Sequence, residues 1–211
     1  MLQIRSFPLP PVQTNAFLLS DASSGKAVLI DAPQGVWETI SPILQEESLI
    51  LEACVLTHAH FDHVLGASTL NDNMIPLSLH QADKLMFDAL SQQMTFFGMD
   101  SPFVQPTIDT WLEDGSSLEL LGRPAEIRRV PGHAEGNIVI YLPDEQCAFV
   151  GDAIFAGSVG RTDLPGGSFE VLEKSIKEQI YTLPDETTLY PGHGPETTVA
   201  REKASNPYVQ G

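Results

Sequence analysis

A mixed α/β or α+β domain is the fold class this sequence predicts, and three observations predict it. Short apolar runs such as ACVLT, NIVIYLP and CAFVGD have the length and composition of buried strands. Segments such as SFEVLEKSIKEQIYTL carry apolar residues at helical spacing instead. The two kinds recur in both halves, and strands repeatedly run into turns containing Gly, Asp or His, which suits layered sheets and helices with a site at a sheet edge. With 211 residues, 42% of them hydrophobic and 18% charged, the chain can bury a proper core, and residues 1–211 are read as one domain.

Taken in order, residues 12–20 and 26–31 read as two strands around the turn DASSGK, a hairpin signal. GVWETISPILQEE has a helical pattern in which Pro42 marks an interruption or a first-turn position. ACVLT is a buried strand that feeds into THAHFDHVLG, VLGASTLND is a short helix and IPLSLH another strand. QADKLMFDALSQQMTFF reads as one longer helix, with Leu85, Met86, Leu90 and Met94 on its apolar face. Beyond residue 98, SSLELL, AEIRRV, NIVIYLP and CAFVGD are strands separated by Gly, Pro, Asp and Asn. SFEVLEKSIKEQIYTL is a helix, TLYPGHG a strand closing on a glycine turn, and TTVAREKAS a last short helix.

Composition excludes several function classes. Eleven basic against 28 acidic residues give a net charge of −17, the opposite of the basic footprint that nucleic acid needs. No apolar run approaches the ~18 residues of a membrane-spanning helix, and MLQIRSFPLPPVQTNAFLL does not read as a signal peptide. Cys54 and Cys147 form neither a disulfide framework nor a Cys-x-x-Cys pair, and both sit in apolar runs as buried thiols. These features point to the cytoplasm, with no membrane or nucleic-acid partner; a homo-oligomer is compatible with them.

The histidines carry the chemistry. Three of the six fall in THAHFDHVLG, as His58, His60 and His63, with Asp62 among them. Side chains at i and i+2 of a strand share a face, so His58 and His60 can share one ion as ACVLT runs out. Asp62 and His63, where the chain turns into a helix, can aim at a neighbouring ion. His133 in PGHAEGN and His193 in PGHGPE occupy glycine turns after apolar strands, and Asp152 ends CAFVGD. Imidazole suits zinc first, with iron and manganese as alternatives, and a carboxylate can bridge two cations. Seven ligands are too many for one four-coordinate ion and suit two divalent ions with one bridge. His80 matches no ligand position and is read as structural or supporting, while Asp31, ending AVLID, is read either as a support for the site or as a turn residue.

The order His58-x-His60-x-Asp62-His63, His133, Asp152, His193 resembles the metallo-β-lactamase superfamily of hydrolases, over almost the whole chain. The resemblance implies a four-layer αββα sandwich. It also implies His58, His60 and His133 on one metal and Asp62, His63 and His193 on the other, with Asp152 bridging. The superfamily's true β-lactamases use a cysteine where Asp152 stands, and flavodiiron proteins a glutamate where His60 stands, so both are disfavoured. GDAIFAGSVGRTDLPGGS and YPGHGPETT resemble the short glyoxalase II-like branch. Full glyoxalase II enzymes hold glutathione with a lysine and an aromatic in this loop and with a C-terminal helical domain; here Arg161 and Asp163 stand in the loop and the sequence stops at Gly211.

The function so implied is hydrolysis of a thioester, S-lactoylglutathione or a related acyl thioester or ester, by hydroxide formed from solvent shared by the two ions. Asp62 orients that hydroxide, and a thiolate with a thiol pKa of ~8.5 leaves without obligatory protonation. Five neutral imidazoles, two carboxylates, two divalent ions and one hydroxide sum to about +1, which favours an anionic acyl substrate. Arg161 is the candidate contact to that anion, or else a loop brace paired with Asp163. The alternative is a persulfide dioxygenase-like oxidoreductase of the same superfamily, with one iron held by residues matching His58, His133 and Asp152.

Overall fold

Three antiparallel strands open the chain: β1 (Leu2–Leu9), β2 (Thr14–Asp21) and β3 (Lys26–Ile30). The structure is a computed structural model describing residues 1–99 and 103–211. It divides into two compact units, Met1–Leu112 and Glu113–Gly211. The expected turn between β2 and β3 is present, with the Asp21 carboxylate accepting from the Ser23 N–H at 3.0 Å and its Oγ at 2.6 Å. Nothing in the sequence pattern anticipates β1, whose half-exposed side chains and Pro8 are those of an edge strand.

The rest of the first unit comprises α1 (Val36–Glu46), β4 (Ile50–Val55), α2 (Phe61–Val64), α3 (Ala67–Asp72), β5 (Leu77–His80), α4 (Lys84–Asp88), α5 (Leu90–Phe96) and β6 (Thr110–Leu112). β3 through β6 are parallel neighbours in chain order, which requires the crossovers that these helices supply. Leu18, Leu29, Ile40, Leu56, Leu70, Leu77 and Leu79 form its buried core. Asp31, Thr57 and His58 follow the carboxyl ends of β3 and β4, where sites in parallel sheets form.

Three local expectations need correction. Pro42 lies inside α1, and the helix runs through it because Val36, Ile40 and Leu44 hold one buried face across the proline. VLGASTLND is split: its start closes α2, and α3 begins only after Leu65 and Gly66. The long helix over residues 81–97 is a 3₁₀ turn (Gln81–Asp83) followed by α4 and α5, which break at Ala89. At the break the Met86 carbonyl accepts from the Ala89 N–H at 3.2 Å, an i→i+3 bond tighter than the α-helical one, and from the Gln93 side chain at 3.0 Å. The break also rephases the apolar stripe: Phe87, Leu90 and Met94 are buried, whereas Leu85 is 84% exposed.

The second unit comprises β7 (Ser117–Leu120), β8 (Arg123–Arg129), β9 (Ile138–Leu142), β10 (Cys147–Gly151), β11 (Ile154–Phe155), β12 (Ser158–Val159), α6 (Phe169–Ser175), β13 (Thr188–Pro191), β14 (Thr197–Thr198) and α7 (Val199–Ser205). α6 continues as a π-helical turn over Ile176–Ile180, and its N-terminus is capped by Ser168. The sheet order is β14-β13-β10-β9-β8-β7. β9 is antiparallel to both β8 and β10, and β10 is parallel to β13, so β8, β10 and β13 run the same way. Their carboxyl ends lead to His133, Asp152 and His193 respectively.

A buried carboxylate braces this end of the sheet. Glu202 of α7, fully buried, accepts from Thr197 Oγ1 at 2.5 Å, the Gly157 N–H at 3.0 Å and Asn206 Nδ2 at 2.8 Å. Glu202→Ala strips all three donors of their acceptor, and a loss of about 3–5 kcal/mol of stability is expected by urea unfolding. Glu202→Gln, which keeps one acceptor oxygen, should lose less.

The fold class is the mixed α/β one expected, with one six-stranded sheet in each unit. Both cysteines are buried and free; burial pushes both thiols up, Cys147 to about 12 with the Glu145 charge adding to the effect. Among the described residues no helix is long and apolar enough to cross a membrane.

Candidate metal centre

In the first unit the candidate ligands are His58, His60, Asp62 and His63, all buried. β4 ends at Val55, so His58 and His60 lie on a loop and not on the expected strand. They nevertheless converge: His58 Nε2 lies 3.1 Å from His60 Nδ1, with the two rings nearly perpendicular. Asp62 and His63 sit in α2, with His63 Nε2 3.5 Å from Asp62 Oδ2, and Thr14 Oγ1 donates to that same oxygen at 2.6 Å.

Asp31 organises this set. Its carboxylate accepts from the Thr57 N–H at 2.7 Å and from Thr57 Oγ1 at 2.8 Å, and His63 Nδ1 lies 2.8 Å from its Oδ2. The carboxylate can only accept, so the His63 proton is on Nδ1 and the Nε2 lone pair is left for a ligand. Thr57 Oγ1 spends its proton on Asp31 and stands 3.1 Å from His58 Nδ1, so it accepts from that nitrogen and likewise leaves His58 Nε2 as a lone pair. Asp31 therefore supports the site, one of the two roles the sequence left open.

In the second unit Asp152 stands between two histidines. Its Oδ2 is 3.6 Å from His133 Nε2 and 3.3 Å from His193 Nε2. His133 Nδ1 donates to the Arg161 carbonyl at 2.8 Å, which turns its Nε2 lone pair toward Asp152. Asp152 is itself placed by its N–H, which donates to Asn137 Oδ1 at 3.1 Å, while Asn137 Nδ2 donates to the Val150 carbonyl. Two glycines permit the approach. Gly132 has φ +121°, and a Cβ there would overlap the Leu172 backbone; a Cβ on Gly160 would overlap the Asp152 carbonyl oxygen and lie 2.9 Å from His133 Nδ1.

The donor set fits divalent metal ions. His58 Nε2 faces His60 Nδ1, His63 Nε2 faces Asp62, and His133 Nε2 faces Asp152, each at 3.1–3.6 Å. With the Nδ1 protons of His63 and His133 engaged elsewhere, these two histidines each set an Nε2 lone pair against a carboxylate oxygen, and a cation between them relieves that opposition. A histidine whose far nitrogen is held by a carboxylate or carbonyl is the usual form of a metal ligand.

The remaining sequence candidates fall differently. His80 is buried at the end of β5, and its Nδ1 accepts from the Ala82 N–H at 3.3 Å, capping the 3₁₀ turn. The Arg161 side chain is exposed and makes a two-point pair with Asp163, at 2.7 and 2.8 Å. That hydrogen bond holds the Asp163 carboxyl down at about 2 and raises Arg161. The pairing matches the brace reading, although the backbone of the same residue orients His133. Thr14, Thr57, Asp83, Gln93 and Asn137 were missed by sequence reasoning. Each works through a partner distant in the chain or through backbone, and no local motif marks them.

The chain matches the family described as Metallo-beta-lactamase superfamily over residues 9–193. It is 34% identical over 216 residues to the hydroxyacylglutathione hydrolase GloC of Haemophilus influenzae, covering 99% of this chain and 98% of that protein. Among solved structures it is similar to BLEG-1 B3 metallo-beta-lactamase, with a TM-score of 0.90 and 35% identity over 99% of this chain and 100% of that one. It is also similar to TTHA1623 in a di-iron-bound form, with a TM-score of 0.85 and 34% identity over 97% of this chain and 100% of that one.

Proposed function

The chain belongs to the metallo-beta-lactamase superfamily, and from that premise we propose that it is a binuclear hydrolase of anionic acyl thioesters or esters, S-lactoylglutathione or a related compound among them. Residues 1–211 act as one catalytic domain in this reading, in the cytoplasm. One observation carries it: buried imidazoles whose far nitrogens are held by Asp31 and the Arg161 carbonyl, so that the Nε2 lone pairs of His63 and His133 face the carboxylates of Asp62 and Asp152. The likeness to GloC over nearly the full length of both chains supports the thioester, and the di-iron form of TTHA1623 supports two ions, with iron as well as zinc or manganese as candidates.

In the proposed arrangement His58, His60 and His133 would hold one ion, Asp62, His63 and His193 the other, and Asp152 would serve both. Two such ions, when bound, supply a Lewis acid for the carbonyl oxygen and a solvent molecule acidic enough to ionise near neutral pH. The protein's own groups do the rest. Asp31 keeps the His63 proton on Nδ1, directly, and the His58 proton on Nδ1 through Thr57. Asp62, whose Oδ2 accepts from Thr14, would keep its other oxygen for orienting the attacking solvent. A thiolate needs no acid to leave, consistent with the absence of an assigned general acid.

Metal analysis of the purified protein beside a substrate panel tests the proposal. Two ions per chain and turnover of S-lactoylglutathione or another acyl thioester are expected. A single iron with oxygen uptake on glutathione persulfide would replace the hydrolase with the dioxygenase. The name of BLEG-1 favours a second reading, β-lactam hydrolysis, against the aspartate at 152; a penicillin and a cephalosporin in the panel decide it.

Arg161 is proposed to contact the substrate anion, exchanging Asp163 for it. Because the guanidinium already has a partner at the surface, the net gain is small. Arg161→Ala is expected to lower kcat/KM for an anionic thioester by roughly three- to tenfold and to spare a neutral ester. Equal losses on both substrates would return Arg161 to bracing its loop.

A further inference from the structure

Among the described residues, Ala59, at the centre of the loop that carries His58 and His60, lies outside any strand ladder, and two side chains bond its N–H and C=O instead. β4 ends at Val55 and α2 begins at Phe61. The Ala59 N–H, between the two histidines, donates to Asp83 Oδ2 at 2.8 Å. The Ala59 carbonyl accepts from Gln93 Nε2 at 3.0 Å, and the Phe61 N–H donates to Gln93 Oε1 at 3.0 Å. The Gln93 amide also donates to the Met86 carbonyl at 3.0 Å. Two carbonyls and one N–H surround this amide, so only one orientation of its oxygen and nitrogen satisfies all three. Asp83 is fully buried, and the Phe97 ring packs at 4.8 Å from Phe61, bringing the end of α5 against the same loop.

We infer that Asp83 and Gln93 form a side-chain clamp that sets the spacing of His58 and His60 and thereby the affinity of the ion those two residues share. Neither touches the reacting atoms; both are positioning residues. The physical reason lies in the loop itself. A strand would fix residues at i and i+2 through its neighbours, whereas here Ala59 has its N–H and C=O held from the segment 83–93. Releasing either end lets Ala59 rotate and carries the two imidazoles apart. The inference rests on the reading of His58 and His60 as metal ligands, and it is independent of which substrate is hydrolysed.

The test is metal binding by the full-length protein, with no substrate present. Metal-free wild type, Gln93→Ala, Gln93→Glu and Asp83→Asn are titrated with cobalt(II) against a competing chelator. The visible cobalt spectrum and the melting temperature of each metal-free protein are recorded. Gln93→Ala is expected to weaken one ion by about 10- to 100-fold, the range typical of groups that orient metal ligands, and to leave the other near wild type. Gln93→Glu should do the same or worse, since it sets a carboxylate oxygen against the Ala59 carbonyl. Asp83→Asn keeps an acceptor for the Ala59 N–H and should bind both ions nearly as wild type. Wild-type affinity and spectrum in Gln93→Ala would overturn the clamp. So would equal weakening of both ions together with a lower melting temperature, the signature of a general loss of stability. Wild type that binds no cobalt would overturn both the clamp and the metal reading, whereas wild type that binds two ions but cleaves no thioester overturns only the substrate.

Discussion

Asp152→Ala is expected to abolish thioester hydrolysis, by about a thousandfold or more, and to leave the purified protein short of metal. The carboxylate lies 3.6 Å from His133 Nε2 and 3.3 Å from His193 Nε2, so its loss removes a negative group that stands against both histidines. As the proposed bridge it would also serve both ions, and without it they would lose a shared negative group that offsets their mutual repulsion. The measurement is metal content after dialysis, beside kcat. Asp152→Ala with both ions retained and kcat within tenfold of wild type would show that it does not bridge.

Asp31→Asn is the second large effect and works through a proton. The substitution keeps the size of the side chain and a tolerance for the left-handed backbone at this position, where φ is +60°. Its amide oxygen can still accept from the Thr57 N–H. Its NH₂ must then face His63 Nδ1, 2.8 Å from the present Oδ2, and it donates where the carboxylate accepted. The imidazole answers by moving its proton to Nε2, the nitrogen that faces Asp62, and that nitrogen can no longer bind a metal. In the serine-protease triad the same aspartate-to-asparagine change keeps the geometry, imposes the wrong tautomer and costs about 10⁴-fold. Here a 10- to 100-fold loss of affinity for the ion bound by His63 is expected, with a larger fall in activity, while circular dichroism stays that of the folded protein. Unchanged metal affinity in Asp31→Asn would mean that Asp31 orients nothing.

Much of the candidate site was legible from residue types alone. Imidazoles and carboxylates concentrated at strand ends are costly to place there without a cation, so His58, His60, His133, Asp152 and the rest could be named from the sequence. The strand geometry expected of His58 and His60 does not hold in detail, because β4 stops three residues before His58. The rings meet all the same, held by Asp83 and Gln93. Helix continuity was equally hard to foresee. Leu85, Met86, Leu90 and Met94 have helical spacing, yet the Met86 carbonyl closes a tight turn with the Ala89 N–H, shares its second lone pair with the Gln93 side chain, and the segment breaks at Ala89. The edge strand β1 escaped notice because an edge needs neither a continuous apolar run nor freedom from proline.

By itself the sequence determined which side chains can hold metal, that the sheets and helices alternate, and that both cysteines are buried, since these depend on residue chemistry and on periods of a few positions. Only the tertiary structure decided which nitrogen His58, His63 and His133 present. That choice belongs to Asp31, 26 positions before Thr57 and 32 before His63, and to the Arg161 carbonyl, 28 positions after His133. A ring proton goes to whichever acceptor lies within hydrogen-bond reach, and reach across such separations is set by how the chain folds back on itself.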